Sequence, residues 1–335
     1  MRMSEVAERA GVSAATVSRV LADSPAVRPE YRERVLRTVE QLGYRPNRLA
    51  SNLRRLRTEM IGIVVSDVEN PHFTQMVRKV EDAAYRRGWR VLLCNADEDG
   101  EKQRSYLEVL AAERVSGVIL STTNPAGPEI TELSDSGVPL VAFDRTVDDA
   151  RVDAVVSDNV TGARLATEHL LGAGHERVGF VGGPTATETG ANRLRGYEIA
   201  MQEVGGVPRW ADGRYRIDGG ERAVEELLRG DPPTALVVAN NLMTIGALRA
   251  LRSRRLRVPQ DMALVAIDDP FWAELMDPPL TTLAQPVRRM AESAVEFLFE
   301  RINGRRNESR RIVFDFDLRV RGSCGTAGMS YGGEI

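Results

Sequence analysis

Polar side chains able to grip a small molecule recur at four places, each just beyond a short apolar run. Ser66, Asp67 and Asn70 follow the run 61–65, Asp144 and Arg145 follow 140–143, Asn240 and Asn241 follow 235–238, and Asp268 and Asp269 follow 263–267. Arg193 stands at the expected start of a helix, and Phe73, Tyr215 and Trp272 offer flat surfaces. Carboxylates, amides and an arginine around an aromatic face suit a polyhydroxylated ligand, with hydroxyls bonded to charged acceptors and carbon faces packed on a ring. A lone Asp after a strand is more often a turn or cap residue, so it is the recurrence that points to a site. No catalytic or metal-binding set accompanies these residues. His72, His169 and His175 lack HxxxH or HExxH spacing, which leaves surface or capping roles for His169 and His175. Gly182-Gly183-Pro184 follows an apolar run without GxGxxG or GxxxxGK[ST] and reads as a turn, and GxSxG is absent.

A second chemistry is written at the N-terminus. In residues 4–21 Val6, Ala7 and Ala10 form one apolar face, Gly11 allows a sharp turn, and Val17, Val20 and Leu21 form a second face at helical spacing. That pattern predicts a helix-turn-helix. The outer side of its second helix carries Ala14, Ala15, Ser18 and Arg19, small or hydrogen-bonding groups ending in a cation, which suit a DNA major groove. Charge agrees: residues 1–58 hold 12 Arg against 6 Asp/Glu, a net +6, while the whole chain is −3, so the remainder is −9. Only the basic head is expected to meet a polyanion.

These groups need elements to hold them. Pro29 suits the first position of a third helix, whose stripe Tyr31, Val35, Val39 and Leu42 would pack on the first two and end at Gly43. After Pro46, Asn47 is a good N-cap for the arginine-rich stretch 48–57, which is too short to be helical alone and reads as a linker that becomes a helix on DNA, with a plain charged linker as the competing reading. From Met60 onward, unbroken apolar runs alternate with amphipathic stretches such as 73–87, 161–171, 192–204 and 242–252. This predicts an α/β fold of parallel sheets covered on both faces, in two doubly wound lobes. A helix is expected at 286–302, one strand at 312–320 and a disordered tail from Gly322. Cys94 and Cys324 are too few and too far apart for a disulfide framework, no apolar run approaches a membrane span, and a cytoplasmic protein is expected.

The chain resembles the lac repressor and galactose repressor (LacI/GalR) family of bacterial transcription regulators from about residue 3 to residue 323. The resemblance is carried by EVAERAGVSAATVSRVL, LGYRPN followed by LASNLR, IGIVVSDVENPHF, GHERVGFVGGP, RLRGYEIAM, VPQDMALVAIDD and LRVRGS. It implies a helix-turn-helix head over 1–46, a hinge helix over 47–58 and a core over 59–323 like periplasmic sugar-binding proteins. The core would have an N-lobe of about 59–157 and 286–315 and a C-lobe of about 158–285 and 316–323, with crossings near Asp158, Gln285 and Phe316. The tail 324–335 would be disordered and lacks leucine heptads.

By the same resemblance Ala14, Ala15 and Arg19 occupy base-reading positions, Thr16, Ser18, Asn47 and Arg54 complete the DNA-contacting set, and Leu53 is an apolar wedge for the minor groove. Phe73, Asp144, Arg193, Tyr215, Asn240 and Asp268 would hold an effector, joined by Asp67 at its strand end. Four positions depart from the family pattern: Arg2 stands where a Thr commonly caps the first helix, His72 where Phe is usual, Asn241 where Asp is common, and Thr187 where the purine repressor has a further arginine. The last favours a sugar or sugar acid over a purine. The implied function is a ligand-controlled repressor, binding a palindromic double-stranded operator as a homodimer, with no cofactor, metal or membrane partner. The rival from another class is a sugar-processing enzyme fused to a DNA-binding head.

Overall fold

Short apolar helices joined by a glycine turn can close only a small core, and that is what the N-terminal residues build. The computed structural model describes residues 3–21, 26–43, 58–306 and 308–325, and its contacts divide the chain into two units, Met1–Thr58 and Glu59–Ile335. In the first, α1 (Met3–Ala10), α2 (Ala14–Leu21) and α3 (Pro29–Leu42) bury Val6, Val17 and Val35 together with Ala10 and Val20. Gly11, at φ +60°, makes the turn, and Ser13 Oγ accepts from Thr16 N at 3.1 Å. Pro29 opens α3, and Gly43 ends it in left-handed backbone. Of the expected stripe, Val35 is buried and Val39 and Leu42 pack beside it. Tyr31 instead lies under the Arg34 guanidinium, 5.2 Å from its ring centroid. Asn47, Leu53 and Arg54 lie outside the described residues, as does the expected hinge except Thr58.

The second unit contains two sheets of six strands. The chain first lays down β1 (Met60–Val65), α4 (Pro71–Tyr85), β2 (Arg90–Asn95), α5 (Gly100–Ala112), β3 (Val118–Leu120), α6 (Pro128–Asp135), β4 (Leu140–Phe143) and β5 (Asp153–Ser157). It crosses to build α7 (Asn159–Gly172), β6 (Val178–Gly182), α8 (Glu188–Glu203), β7 (Arg209–Asp212), α9 (Ile217–Leu227), β8 (Ala235–Val238), α10 (Asn241–Ser253), β9 (Ala263–Ile267) and β10 (Thr281–Ala284). It then returns for α11 (Val287–Ile302) and β11 (Arg311–Phe314), and crosses again to β12 (Asp317–Arg319). The first sheet runs β11-β5-β4-β3-β1-β2, all parallel; the second runs β12-β10-β9-β8-β6-β7, with only β12 antiparallel. We call these halves the N-lobe and the C-lobe.

Central strands such as β4, β8 and β9 are buried at every position, which is why they read as unbroken apolar runs. The expected single strand at 312–320 is two strands in different sheets, parted at Asp315-Phe316. Two residues suffice for the crossing, so the apolar pattern continues across it. Nor does disorder begin at Gly322, because Ser323 and Cys324 are buried and Ser323 Oγ donates to Leu264 O at 2.6 Å. Residues 326–335 lie outside the described residues.

Two devices tie neighbouring elements together within each lobe. Helix backbones meet at glycines: a β-carbon on Gly196 would sit 2.1 Å from Val160 O between α8 and α7, and one on Gly246 would sit 2.0 Å from Ile217 O between α10 and α9. In the N-lobe, fully buried Asp153 accepts from Arg301 Nε at 2.8 Å, Arg301 Nη2 at 3.0 Å and Arg310 N at 2.6 Å, tying α11 to β5 and the approach to β11. Among the described residues no helix is long and apolar enough to cross a membrane, and no cluster of three His, Cys, Asp or Glu could hold a metal ion.

Candidate functional site

Each sheet reverses its winding at one strand: β2 and β3 flank β1, and β7 and β8 flank β6. Ligands of open parallel sheets bind beyond the carboxyl ends of strands at such reversals. Asp67 and Asn70 follow β1, Asp144 follows β4, Asn240 follows β8 and Asp268 follows β9. Asp144 and Asp268 use one local design. Both are left-handed (φ 67° and 77°), and each amide donates to the next strand's carbonyl, Asp144 N to Val155 O at 3.0 Å and Asp268 N to Leu283 O at 2.9 Å. Such backbone costs a non-glycine residue about 1–2 kcal/mol, with Asp among the residues that tolerate it best.

Arg193 lies in the second turn of α8 rather than at a helix start, because Thr187 caps the helix at Gly190 N and extends it four residues upstream of the expected 192–204. Its Nε donates to Asn159 Oδ1 at 2.7 Å and its Nη1 to Ala239 O at 2.6 Å. Tyr215, also left-handed, shares a hydrogen bond with Thr189 Oγ1 at 2.9 Å, and its ring fills the space where Gly183 has no side chain. Asn240 caps α10 by accepting from Met243 N at 2.8 Å.

Asp67, Phe73, Asp144, Arg193, Tyr215, Asn240 and Asp268 all line one gap between the lobes. Its volume is about 20 Å³, room for about one water molecule. Asn70 and Arg145 line it too, with four residues that the strand-end argument did not single out: His72, Glu98, Thr189 and Gln285. Trp272 is not among them and packs on the C-lobe core. Asp269 instead pairs with Arg321 at 2.8 Å. His169 is buried in α7 rather than exposed, and His175 Nδ1 lies 3.1 Å from Thr234 Oγ1.

The gap is electrostatically tense. Burial raises the pKa of Asp67, overriding the Glu69 amide and Arg216, which lower it. Burial also works against the charge of Arg145, but its two-point bond to Glu98 at 2.6 and 2.7 Å and nearby Asp144 more than compensate, and its pKa is raised. His72, 4% exposed, sits with Nε2 3.7 Å from Asp144 Oδ1 and Nδ1 4.0 Å from Asp268 Oδ1, a ring between carboxylates of opposite lobes.

Bonds across the lobes hold the gap shut. Arg216, just before α9, donates to Asp67 Oδ2 at 2.9 Å and Asp97 Oδ1 at 2.7 Å; Asn241 Nδ2 donates to Asn70 Oδ1 at 3.1 Å; Thr146 Oγ1 donates to Glu188 Oε2 at 2.7 Å. A ligand larger than water must displace some of these. Arg216→Ala is therefore expected to raise the apparent affinity for a ligand of the gap about fivefold, about 1 kcal/mol for a part-exposed pair. Titration calorimetry checks this, and an unchanged or weaker affinity would show that the pair survives beside the ligand. The Arg216 hydrogen bond holds the Asp97 carboxyl below its usual range, helped by Lys102. Its contribution to closure is thus present above the ordinary carboxylate range and lost as pH falls through the lowered value.

The chain is similar to known proteins over most of its length. Residues 2–47 match the family described as bacterial regulatory proteins, lacI family, and residues 167–324 match a periplasmic binding protein-like domain. The HTH-type transcriptional repressor PurR of Haemophilus influenzae (strain PittEE) is 35% identical over 303 residues, 89% of this chain and 90% of that protein. Among solved structures, a transcriptional regulator CelR–cellobiose complex is 34% identical with a TM-score of 0.72, covering 96% of this chain and 99% of that one. The lac repressor dimer bound to operator and the anti-inducer ONPF is 27% identical with a TM-score of 0.84, covering 97% and 99%.

Proposed function

The chain belongs to the LacI family of bacterial regulatory proteins, as a transcriptional repressor with a DNA-binding head and an effector-binding core, and from this premise we propose its finer function. It binds a two-fold symmetric operator as a homodimer, and a carbohydrate held between the core lobes controls that binding. One observation carries the effector assignment: four carboxylates, three amides, two arginines and the rings of Phe73 and Tyr215 converge on a single gap at the carboxyl ends of both sheets. Carboxylates accept from sugar hydroxyls, and Phe73 and Tyr215 offer faces to the carbons. The CelR complex, a relative with bound cellobiose, supports the same class. So does Thr187, whose hydroxyl caps α8 and donates to Pro184 O at 2.8 Å where a purine reader would need a guanidinium.

The ligand acts by parting or re-setting the lobes. A hundredfold change in operator affinity requires about 2.8 kcal/mol of differential binding, within reach of a buried polar pocket. On the DNA side, Ala14, Ala15 and Arg19 are exposed on α2, while Thr16 Oγ1 lies 2.9 Å from Ser13 Oγ. Alanines offer only apolar contact, such as to a thymine methyl, so Arg19 carries the polar part of base reading. Leu53 and Arg54 add a hinge that senses whether the duplex bends.

Two experiments test the proposal. A thermal-shift screen of sugars, sugar acids and nucleosides, followed by operator titration with and without the hit, should return a carbohydrate that changes operator affinity; a nucleoside hit alone overturns the ligand class, and turnover of the hit restores the enzyme rival. Binding selection from random duplexes should yield a two-fold symmetric site. On that site Leu53→Ala should cost about tenfold in affinity, about 1.4 kcal/mol, with little loss on non-specific DNA. Equal losses on both duplexes would remove the wedge role.

A further inference from the structure

A second and larger cavity, of about 660 Å³, lies where the chain crosses between the lobes. His72, Asp268 and Gln285 border both it and the interlobe gap, and they form the partition. Gln285 Nε2 donates to Asp268 Oδ1 at 2.7 Å and lies 3.4 Å from His72 Nδ1. The far side is basic: Arg78 and Lys79 come from α4, Arg288 and Arg289 from the first turn of α11, and Arg319 from β12.

These cations differ in what already engages them. Arg319 pairs with Asp269 and Asp317, and the Arg289 guanidinium lies over the Phe314 ring at 5.1 Å. Arg78, Lys79 and Arg288 are in no ion pair with any described residue. The first turn of α11 lines the same cavity, and its N-cap, Pro286, provides no side chain to hold the helix amides. A helix N-terminus with free cations around it attracts a negative group. The floor asks for something else. Asn241 is 2% exposed, and its Oδ1 has no hydrogen-bond partner among the described residues; the same holds for Nε2 of His72. A buried acceptor left in this way calls for a donor from a ligand.

We propose that this hinge-side cavity binds a phosphate-bearing polyol. Arg78, Lys79, Arg288 and the start of α11 hold the phosphate, and a ligand hydroxyl donates to Asn241 Oδ1. A phosphate, at about −1.5 to −2 charge, matches three cations better than a single carboxylate does. The cavity is of ordinary size for a small-molecule site. Because Arg78 and Lys79 belong to the N-lobe and Asn241 to the C-lobe, such a ligand touches both lobes without entering the gap. It therefore acts beside the carbohydrate site proposed above and does not depend on it.

The test is titration calorimetry on the full chain with ribose 5-phosphate, ribose and inorganic phosphate. Ribose 5-phosphate is expected to bind more tightly than either fragment, and more weakly as salt rises. R78Q and R288Q should each weaken it about tenfold, with unchanged melting temperatures because both side chains are exposed. R193A should leave it unchanged. The proposal fails if neither ribose 5-phosphate nor phosphate binds at about 10 mM, or if R78Q and R288Q bind like the parent chain. It also fails if R193A abolishes binding, which would place the ligand in the gap, or if gluconate binds as tightly as ribose 5-phosphate.

Discussion

Arg193→Ala is expected to leave operator binding intact while lowering affinity for the controlling ligand about a hundredfold, about 3 kcal/mol. Arg193 is 4% exposed and holds Asn159 with Nε and Ala239 O with Nη1, which fixes its guanidinium at the wall of the gap. A fork fixed in this way meets a ligand diol or carboxylate without losing further side-chain freedom. Lysine at this position should not rescue binding, since a single ammonium cannot keep both anchors and also reach the ligand. The same change leaves Asn159 Oδ1 and Ala239 O without their donors, so stability should fall by about 1–3 kcal/mol. Ligand titration and operator titration on one preparation separate these effects. Ligand affinity equal to that of the parent chain would remove Arg193 from the site.

Asp153→Ala should destabilise the core by about 3–5 kcal/mol, lowering the melting temperature by about 10 °C. The carboxylate is fully buried and receives three hydrogen bonds, so its removal takes two bonds from the Arg301 guanidinium, whose side chain is 14% exposed, and the acceptor from the Arg310 amide. The loss comes mainly from a part-buried cation deprived of this carboxylate, not from the pair itself. The double variant Asp153→Ala with Arg301→Ala should therefore be more stable than Asp153→Ala alone. Thermal and urea unfolding check both, and a single-variant loss below about 1 kcal/mol would mean that Arg301 finds water or another acceptor.

The fold class was legible because central parallel strands carry no alternation: β1, β4, β8 and β9 stand out as apolar runs. What escaped were the strands whose burial is not written in apolar residues. In β10, Thr281 and Thr282 are fully buried yet polar, so Thr-Thr-Leu-Ala does not read as a core strand, and Gln285 at its end was missed. β7 is only partly buried and includes an arginine and an aspartate, which hid the approach to Arg216. Glu98 escaped because it lies in a positive-φ loop beyond edge strand β2, next to Asp97 in the same conformation. Strand ends and helix starts, narrowed by the family resemblance, nevertheless gave seven candidate residues that all line one gap, whereas Ser66, Asn241 and Asp269 from the same strand ends do not. Strand ends are informative because topology, not local sequence, brings them together. Trp272 shows the limit, since an aromatic near a strand end can equally pack on the core.

Each bond that holds the lobes together has at least one partner beside the gap: Arg216, Glu188, Thr146 and Asn241 are not among the residues that line it. A ligand's apparent dissociation constant is its intrinsic value divided by the fraction of molecules able to admit it. Changes at these flanking positions therefore shift the concentration at which the repressor responds without changing which molecule it prefers. Sensitivity and selectivity are set by different residues, and evolution or engineering can adjust the first while leaving Asp144, Arg193 and Asp268 untouched.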